Sequence, residues 1–265
     1  MSFDSLGLCA ELLSAVTAQG YTTPTPIQTQ AIPAIFEGSD LLAGAQTGTG
    51  KTAAFALPIV QRLSEHIPEG KRRRPRVLVL VPTRELAAQV SDEMQNYGRR
   101  LSLRSTMIYG GVNIQPQIDR LHRGVDIVVA TPGRLLDHAE RATINLSKIE
   151  YLVLDEADRM LDLGFIDDIL KVAEYLPVKH QTLLFSATYA PNIKKLADEL
   201  LDNPRHIEVA RRNLAADAVT QVIYPSDRKL KREMLSHLII DGKWEQVLVF
   251  CRTRYGADKV TAELL

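Results

Sequence analysis

Residues 44–52 read GAQTGTGKT, a glycine-rich loop between an apolar run and a segment with helical periodicity. Gly48 and Gly50 let backbone N–H groups turn inward around phosphate oxygens. Lys51 can reach the outer phosphates of a nucleotide, and the Thr52 hydroxyl can ligate Mg²⁺. Ala45 stands where the strict motif has its first glycine. The loop therefore predicts a phosphate site at a strand–loop–helix junction, with a purely structural glycine turn as the alternative.

Around this loop, short apolar runs alternate with longer amphipathic segments. The predicted strands are residues 40–44, 77–81, 106–109, 127–130, 151–155 and 182–186. The predicted helices are residues 52–62, 84–99, 114–123, 133–140, 166–176 and 191–201. The strand runs are almost continuously Val, Ile, Leu and Ala, which is typical of strands covered on both faces. The pattern predicts an α/β fold, with a parallel sheet flanked by helices on both faces.

The periodicity also predicts two domains. Residues 1–208 form the first, and a polar, Ala-rich stretch over 209–217 suits a linker. Residues 218–265 then begin a second series, with strands at 219–224 and 247–251 and helices at 229–240 and 256–265. Because two parallel strands cannot cover their own faces, we expect 218–265 to be the incomplete beginning of a second domain.

Composition excludes several classes of protein. Lys+Arg and Asp+Glu both number 32, so a site for a polyanion must be a local patch. The densest basic run, residues 71–76, is interpreted as a solvated loop or a phosphate-contacting patch. Cys9 and Cys251 are too few for a disulfide framework or a zinc site. A secretory leader and an apolar run of membrane-spanning length are both lacking, so we expect no membrane association and a cytoplasmic location.

A second unusual stretch, residues 151–162, reads YLVLDEADRMLD. An apolar run leads directly into Asp155, Glu156 and Asp158, whose like charges repel unless a cation or water is close. In phosphate-loop enzymes a carboxylate at the end of a neighbouring strand holds the Mg²⁺ of the nucleotide. Taken alone, the cluster is equally compatible with a nuclease-type metal site or a solvated acidic turn. Beside the phosphate loop, the nucleotide–Mg²⁺ interpretation is favoured.

Four further loops follow predicted strands. They are PTREL at 82–86, the Gly pair at 110–111, TPGR at 131–134 and SAT at 186–188. The carboxyl ends of parallel strands share one edge of a sheet, where ligands bind. Each short motif is weak by itself, but their common placement predicts one functional edge.

In family order, these motifs resemble those of the DEAD-box family of ATP-dependent RNA helicases, superfamily 2, whose fold is RecA-like. The resemblance covers essentially the whole chain. Residues 20–28, GYTTPTPIQ, look like the family's adenine-reading Q motif, placed within residues 1–29, with Phe3 as its upstream aromatic. MSFDSLGL at 1–8 and EVARRN at 208–213 look most like the bacterial RhlE subgroup.

The resemblance implies ATP and Mg²⁺ as cofactors. Lys51 and Thr52 would bind phosphates and metal, Asp155 would hold Mg²⁺ largely through water, and Glu156 would activate the attacking water. Asp158 would hydrogen-bond to Ser186 and Thr188 and couple hydrolysis to RNA release. The residues implied in nucleotide binding are Phe3, Tyr21, Thr23, Gln28, Ala45, Gln46, Thr47, Gly48, Thr49, Gly50, Lys51 and Thr52.

RNA is the implied partner, held by its sugar-phosphate backbone without reading of bases. The residues implied are Pro82, Thr83, Arg84, Gly110, Gly111, Thr131, Pro132, Gly133 and Arg134. Hydroxyls, backbone N–H groups and arginines suit phosphate contacts, and contacts to 2′-hydroxyls would favour RNA over DNA.

Residues 247–254, VLVFCRTR, look like the first motif of the family's second domain, but the family's later arginine motifs do not follow. We therefore expect a helicase lineage, with weak nucleotide binding and little RNA-stimulated hydrolysis by this chain. The alternative is a nucleotide- and RNA-binding module without efficient catalysis. A metal-dependent nuclease and a DNA-directed motor are minor alternatives.

Overall fold

The structure is a computed structural model that describes residues 2–46, 48–67, 73–209, 220–227 and 229–264. The chain divides into two compact units, residues 1–211 and 212–265, and each is described by itself. The predicted linker at 209–217 lies almost entirely outside the described residues.

The first unit is built on one sheet of seven parallel strands, in the order β3-β4-β2-β5-β6-β1-β7. The strands are β1 (Leu41–Gly44), β2 (Val77–Leu80), β3 (Ser105–Ile108), β4 (Ile127–Ala130), β5 (Tyr151–Leu154), β6 (Gln181–Ser186) and β7 (Arg205–Glu208). The predicted parallel α/β sheet is thus confirmed.

Strand β7 was not predicted from the sequence. It pairs with β1 at one edge of the sheet, and Ile207 is the one buried residue of its four. A search for apolar runs cannot detect such a strand. Its backbone pairing with Leu41–Gly44 places it in the sheet nevertheless.

Nine α-helices surround the sheet within the described part of the first unit. They are α1 (Ala10–Ala18), α2 (Pro26–Phe36), α3 (Lys51–Glu65), α4 (Arg84–Gly98), α5 (Gln115–His122), α6 (Pro132–Glu140), α7 (Ala157–Asp162), α8 (Ile166–Ala173) and α9 (Pro191–Leu200). Helices α1, α2 and α7 were not among the predicted helices. Pro26, Pro132 and Pro191 stand in the first turn of their helices, where a missing N–H costs nothing.

The sheet is covered on both faces, as the strand composition predicts. Successive residues of a strand point to opposite faces. Val77 and Val79 accordingly join the hydrophobic cluster that includes Phe55 and Phe185, while Leu78 and Leu80 join a second cluster. This alternation between two apolar layers explains why the strands read as unbroken apolar runs.

The second unit contains two described helices, α10 (Lys231–Asp241) and α11 (Arg254–Leu264), linked by an ion pair between Arg232 and Glu263 at 2.5 Å. Both helices agree with the prediction. The strands predicted at 219–224 and 247–251 are wrong for every residue of them that the structure describes. Phe250 is 89% exposed, so this run has no layer to pack against.

Within the described ranges, we find no helix that combines the length and apolar character needed to cross a membrane.

Arg76 is a buried cation that joins three segments at the amino end of β2. Its Nε and Nη2 donate to the two carboxylate oxygens of Glu150 at 2.6 and 3.0 Å. Its Nη1 donates to the backbone oxygens of Leu63 and His66 at 3.0 and 2.7 Å. Arg76 therefore fixes the end of α3 against the start of β5, and its place in the basic run of residues 71–76 is structural.

We predict that Arg76→Met lowers the free energy of unfolding by about 2–3 kcal/mol, because two carbonyl oxygens lose a charged donor. Arg205→Met is the matched control, since Arg205 and Glu37 form an ion pair at 2.9 Å with both side chains half exposed. The control should change stability by less than about 0.5 kcal/mol. Denaturant unfolding followed by circular dichroism compares them, and equal losses would contradict the structural role of Arg76.

Candidate functional site

The glycine-rich loop joins β1 to α3 as predicted. Gly48 and Gly50 have φ angles of +78° and +84°, a left-handed conformation that favours glycine. Thr49 Oγ1 donates to the backbone oxygen of Gln46 at 2.7 Å and closes the turn. Thr47 lies outside the described residues. Helix α3 starts directly after Gly50, so its first N–H groups lie at the loop, an arrangement that suits an anion.

Lys51 and Asp155 form the centre of the site. Lys51 Nζ lies 3.7 Å from Asp155 Oδ1, and both side chains are buried. Neither of these two atoms has a hydrogen-bond partner within the described structure. Burial raises the pKa of Asp155, and the neighbouring ammonium of Lys51 opposes that rise. A buried cation and a buried anion with unused hydrogen-bonding capacity fit a ligand that carries both phosphate oxygens and a hydrated metal ion.

The donor set suits Mg²⁺ bound with its nucleotide. Among the described residues, no three His, Cys, Asp or Glu side chains form a metal-binding group. Thr52 and Asp155 nevertheless line the same cavity. Because Mg²⁺ commonly keeps several waters and binds through one or two protein oxygens plus phosphates, this sparse set fits it.

A cavity of about 380 Å³ gathers the motif residues at the carboxyl edge of the sheet. A cavity of about 590 Å³ beside α9 and β7 is larger but contains none of the predicted site residues. The smaller one is lined by Tyr21, Thr23, Thr25, Gln28, Gly48, Gly50, Lys51, Thr52, Ala53, Leu86, Gln89, Glu93, Asp155 and Glu156.

Gln28 braces the loop from the side of α2. Its Oε1 accepts from the Thr25 N–H at 2.9 Å, and its Nε2 donates to the Gly50 oxygen at 3.1 Å. A Cβ on Gly50 would lie 2.4 Å from that Nε2, so this approach requires glycine. The predicted adenine reader thus contacts the phosphate loop directly and lies at the cavity.

Five other residues predicted to bind the nucleotide fall into three groups. Tyr21 and Thr23 line the cavity. Phe3 is only 5% exposed, packs into the hydrophobic core, and is not among the lining residues. Ala45 and Gln46 line a separate cavity of about 220 Å³, together with Thr188.

The carboxylate cluster surrounds the start of α7. Glu156 has φ and ψ angles of +56° and +51°, a conformation that is rare for a residue with a side chain and is often found at functional sites. Asp158 Oδ2 accepts from the Ala187 N–H at 3.2 Å, and Ser186 Oγ accepts from the Thr188 N–H at 3.2 Å. Asp158 therefore contacts the SAT loop through a backbone N–H, and not through the hydroxyls of Ser186 and Thr188 that the family resemblance implies.

Five lining residues were not among the predicted site residues: Thr25, Ala53, Leu86, Gln89 and Glu93. The last three belong to α4. They recur at positions i, i+3 and i+7 of α4, so they lie on one face of that helix. Burial raises the pKa of Glu93. Their helical spacing, which begins at the last residue of the PTREL motif, could have indicated them from the sequence.

The loops assigned to RNA meet through two contacts. The Arg84 guanidinium lies 5.1 Å from the centroid of the Tyr109 ring. Arg134 Nη2 donates to the Val112 oxygen at 3.0 Å, while its Nη1 is buried without a hydrogen-bond partner in the described structure. The PTREL and TPGR loops are thus both tied to the loop that contains Gly110 and Gly111.

Most of the other residues predicted to bind RNA are buried or make contacts within the protein. Thr83 accepts the Leu86 N–H at 3.3 Å and caps α4. Pro82 and Pro132 are buried, and Thr131 is the residue before α6. A Cβ on Gly133 would lie 3.2 Å from Asp168 Oδ2. Gly110 and Gly111 are exposed with open space around them.

His138, in α6, is linked through Gln117 to Tyr109, next to the loop that contains Gly110 and Gly111. It is fully buried, with Nδ1 2.8 Å from Thr143 Oγ1 and Nε2 3.4 Å from Gln117 Oε1. The Gln117 amide is oriented because its Nε2 donates to the Tyr109 oxygen at 3.0 Å. Its Oε1 is therefore the acceptor, which assigns the proton of the neutral imidazole to Nε2. Burial, reinforced by Arg134, lowers the pKa of His138.

We predict that His138 makes stability depend on pH in weakly acidic solution. Its pKa is lowered in the folded state, so below the ordinary histidine value of about 6.5 the unfolded chain takes up the proton first. The free energy of unfolding should therefore fall as pH decreases from about 6.5, by at most about 1.4 kcal/mol per pH unit.

Denaturant unfolding across pH 5 to 8 tests this in wild type and His138→Gln. The variant should lose this part of the pH dependence, while the control His122→Gln, at an exposed position, should keep it. A His138→Gln profile parallel to that of wild type would show that His138 does not titrate differently on unfolding.

Comparison with known proteins agrees with these observations. The family model described as DEAD/DEAH box helicase matches residues 25–196. The crystal structure of a DEAD box protein from the hyperthermophile Methanococcus jannaschii superposes with a TM-score of 0.74 at 35% identity. That superposition covers 100% of this chain and 70% of the other.

Three curated relatives are named as DEAD-box ATP-dependent RNA helicases. RhpA of Helicobacter pylori is 42% identical over 98% of this chain and 51% of its own length. Helicase 14 of Arabidopsis thaliana is 41% identical over 100% of this chain and 43% of its own length. CshA of Bacillus cereus is 40% identical over 99% of this chain and 49% of its own length. The chain thus spans about half the length of the curated relatives it matches. The assignment to the RhlE subgroup stays a prediction. The family-model match, which covers more than half of the chain, shows that this chain belongs to the DEAD-box helicase family.

Proposed function

We propose that this chain is the ATP-binding portion of an ATP-dependent RNA helicase. In this proposal, ATP and Mg²⁺ bind at the cavity beneath α2 and α4, and one RNA strand lies along the loops of the carboxyl edge. The intact protein would couple ATP binding and hydrolysis to RNA clamping and local duplex unwinding.

The buried pair of Lys51 and Asp155 carries the proposal. A structural ion pair of this kind would be expected to satisfy its atoms with further hydrogen bonds. Here Lys51 Nζ and Asp155 Oδ1 lie 3.7 Å apart, and neither has a hydrogen-bond partner in the described structure. Lys51 would therefore hold phosphate oxygens, and Asp155 and Thr52 would hold the metal ion and its waters.

Glu156 is the residue we assign to the water. It lines the cavity beside Asp155, and its side chain remains partly accessible. Glu156 would accept a proton from the water that attacks the outer phosphate. When bound, Mg²⁺ supplies charge neutralisation for the phosphates. Arg159, at 3.4 Å from Glu156, fixes the carboxylate from the first turn of α7.

The proposed RNA contacts follow from the charge and shape of the carboxyl edge. Arg84 is exposed, and its guanidinium stacks on Tyr109, which leaves its N–H groups available for phosphates. Gly110 and Gly111 expose backbone without a side chain. Such groups hold a strand by its backbone and do not discriminate among bases.

Hydrolysis by this chain alone is a separate question. Arginines that reach the γ-phosphate contribute about 10³–10⁵ in rate in phosphoryl-transfer enzymes. No arginine other than Arg84 and Arg134 is among the residues that we assign to the two ligands. We therefore propose slow turnover for this chain, and a nucleotide- and RNA-binding module is the second candidate function.

Base selection is tested by Gln28→Ala. If Gln28 hydrogen-bonds to the adenine edge, wild type should prefer ADP over GDP. In the variant the ratio of ADP affinity to GDP affinity should fall about tenfold. Gln89→Ala is the matched control, because Gln89 lines the same cavity from α4. Calorimetric titration with both nucleotides measures the ratio. If Gln28→Ala weakens both nucleotides equally, Gln28 only braces the Gly50 loop.

Turnover is tested by steady-state phosphate release with and without single-stranded RNA. We predict slow hydrolysis that RNA stimulates less than about twofold, because the residues that we assign to the nucleotide include no arginine to contribute the factor of about 10³–10⁵. Glu156→Gln gives the background rate. Strong stimulation by RNA in wild type, abolished in Glu156→Gln, would contradict the proposal of slow turnover and reject the second candidate.

A further inference from the structure

The amino edge of the sheet carries a group of arginines that the proposed function does not use. Asp126 precedes β4 and is fully buried. Its Oδ2 accepts from Arg73 Nη1 at 2.7 Å and from the Arg104 N–H at 2.9 Å. This carboxylate therefore joins the start of β2 to the start of β3, the strand at the sheet edge. The side chain of Arg104 is left outside that contact.

Within the basic run of residues 71–76, the structure separates the roles of three arginines. Arg76 and Arg73 are paired with Glu150 and Asp126. Arg74, between them, is exposed and makes no ion pair with any described carboxylate. Lys71 and Arg72 lie outside the described residues.

Arg74 shares this edge with Arg120 of α5, with Arg123 directly after α5 and with Arg104 directly before β3. We call Arg74, Arg104, Arg120, His122 and Arg123 the arginine face. All five side chains are exposed, and none of the four arginines forms an ion pair with a described carboxylate. A single-sign group of this size stands out in a chain whose formal net charge is zero.

Two cavities give the arginine face its shape, one on each side of the carboxyl end of α5. One, of about 440 Å³, is lined by Arg73, Arg74 and His122 among others. The other, of about 340 Å³, is lined by Arg104, Arg120 and Arg123 around Ser105. The Ser105 hydroxyl is buried without a hydrogen-bond partner in the described structure.

The guanidinium groups retain most of their donors. Arg123 Nε donates to the backbone oxygen of Asp119 at 3.3 Å, and Arg104 Nη1 donates to the backbone oxygen of Arg123 at 3.4 Å. Each guanidinium has five N–H donors, so most remain for a ligand. Planar forks of this type suit phosphate oxygens.

We propose that the arginine face is a second RNA-binding surface, which holds the phosphate backbone of a segment outside the strand at the carboxyl edge. Four-residue strands separate the two edges by roughly 13 Å, so one short strand segment does not occupy both at once. The surface goes beyond the proposed function, because neither the nucleotide cavity nor the carboxyl-edge loops contribute to it.

RNA is favoured over an acidic protein because no exposed large apolar side chain described in this unit lines either cavity. Protein interfaces take most of their binding energy from buried aromatic and apolar groups. The exposed large apolar side chains of the described first unit lie outside both cavities: Tyr21, Val112, Leu163, Tyr175 and Val178. Guanidinium groups without such anchors are typical of binding to a phosphate backbone. Two surfaces on one RNA would also raise its overall affinity through effective concentration.

The test is the charge-reversal variant R104E/R120E/R123E of the whole chain, measured without nucleotide. Fluorescence anisotropy with a labelled RNA hairpin that carries a single-stranded tail gives affinity at several KCl concentrations. The plot of log affinity against log salt has a negative slope, and each lost phosphate contact makes it less steep by about 0.7–0.9. With three contacts removed, the slope of the variant should be less steep than that of wild type by about two or more. At about 100 mM KCl its affinity should fall roughly tenfold or more.

Three comparisons make the result specific. K171E/K194E/K195E changes three exposed lysines of α8 and α9 and should keep at least half of the wild-type slope. R104K/R120K/R123K keeps the charge and should restore most of the slope. A fluorescent ADP analogue should bind wild type and R104E/R120E/R123E equally, which shows that the variant remains folded at the nucleotide site.

Failure of this inference and failure of the proposed function give different results. If only the carboxyl edge binds RNA, Arg84→Glu weakens binding and R104E/R120E/R123E does not, and the inference is overturned. If only the arginine face binds RNA, the reverse holds, and the inference stands while the RNA part of the proposed function fails. Equal losses in the lysine variant, no RNA binding by wild type, or binding of poly-glutamate but not RNA at this face would each overturn the inference.

Discussion

The buried contact between Lys51 and Asp155 constrains the rest of the site. The two residues come from loops after β1 and β5, which are separated in the sheet by β6. The end of β6 therefore lies between them, and the Ser186 oxygen accepts the Ala45 N–H at 3.0 Å. The hydrogen bond between the Ala187 N–H and Asp158 joins the same SAT loop to α7.

The second constraint is the approach of Gln28 to Gly50. It ties α2 to Gly50, the residue directly before α3, and so links the part of the cavity assigned to the base with the part assigned to the phosphates. Desolvation of Lys51 and Asp155 costs free energy that the isolated pair recovers only in part. In the proposed function, a ligand that carries phosphates and a metal ion would supply the missing contacts.

Much of the fold could be predicted from sequence because a parallel sheet buried on both faces leaves continuous apolar runs. Strand β7 was not predicted because only Ile207 of its four residues is buried. The strands predicted at 219–224 and 247–251 are wrong because their apolar runs have no layer to pack against. For the site, strand ends indicated the edge at which Lys51 and Asp155 line one cavity, while Gln28 was placed there by the family resemblance. Spacing does not specify which atoms pair, however. Phe3 lies in the core, and Asp158 meets a backbone N–H, because side-chain packing and local turns decide those contacts.

In the proposed function, Lys51 and Asp155 bind one nucleotide together with Mg²⁺. The affinity of wild type and Asp155→Asn for ADP, measured by calorimetry with Mg²⁺ and with a chelator, tests this. The substitution preserves side-chain size and removes the charge. Mg²⁺ should strengthen binding by about tenfold or more in wild type, and this gain should disappear in Asp155→Asn. An undiminished Mg²⁺ effect in the variant would show that Asp155 does not hold the metal ion.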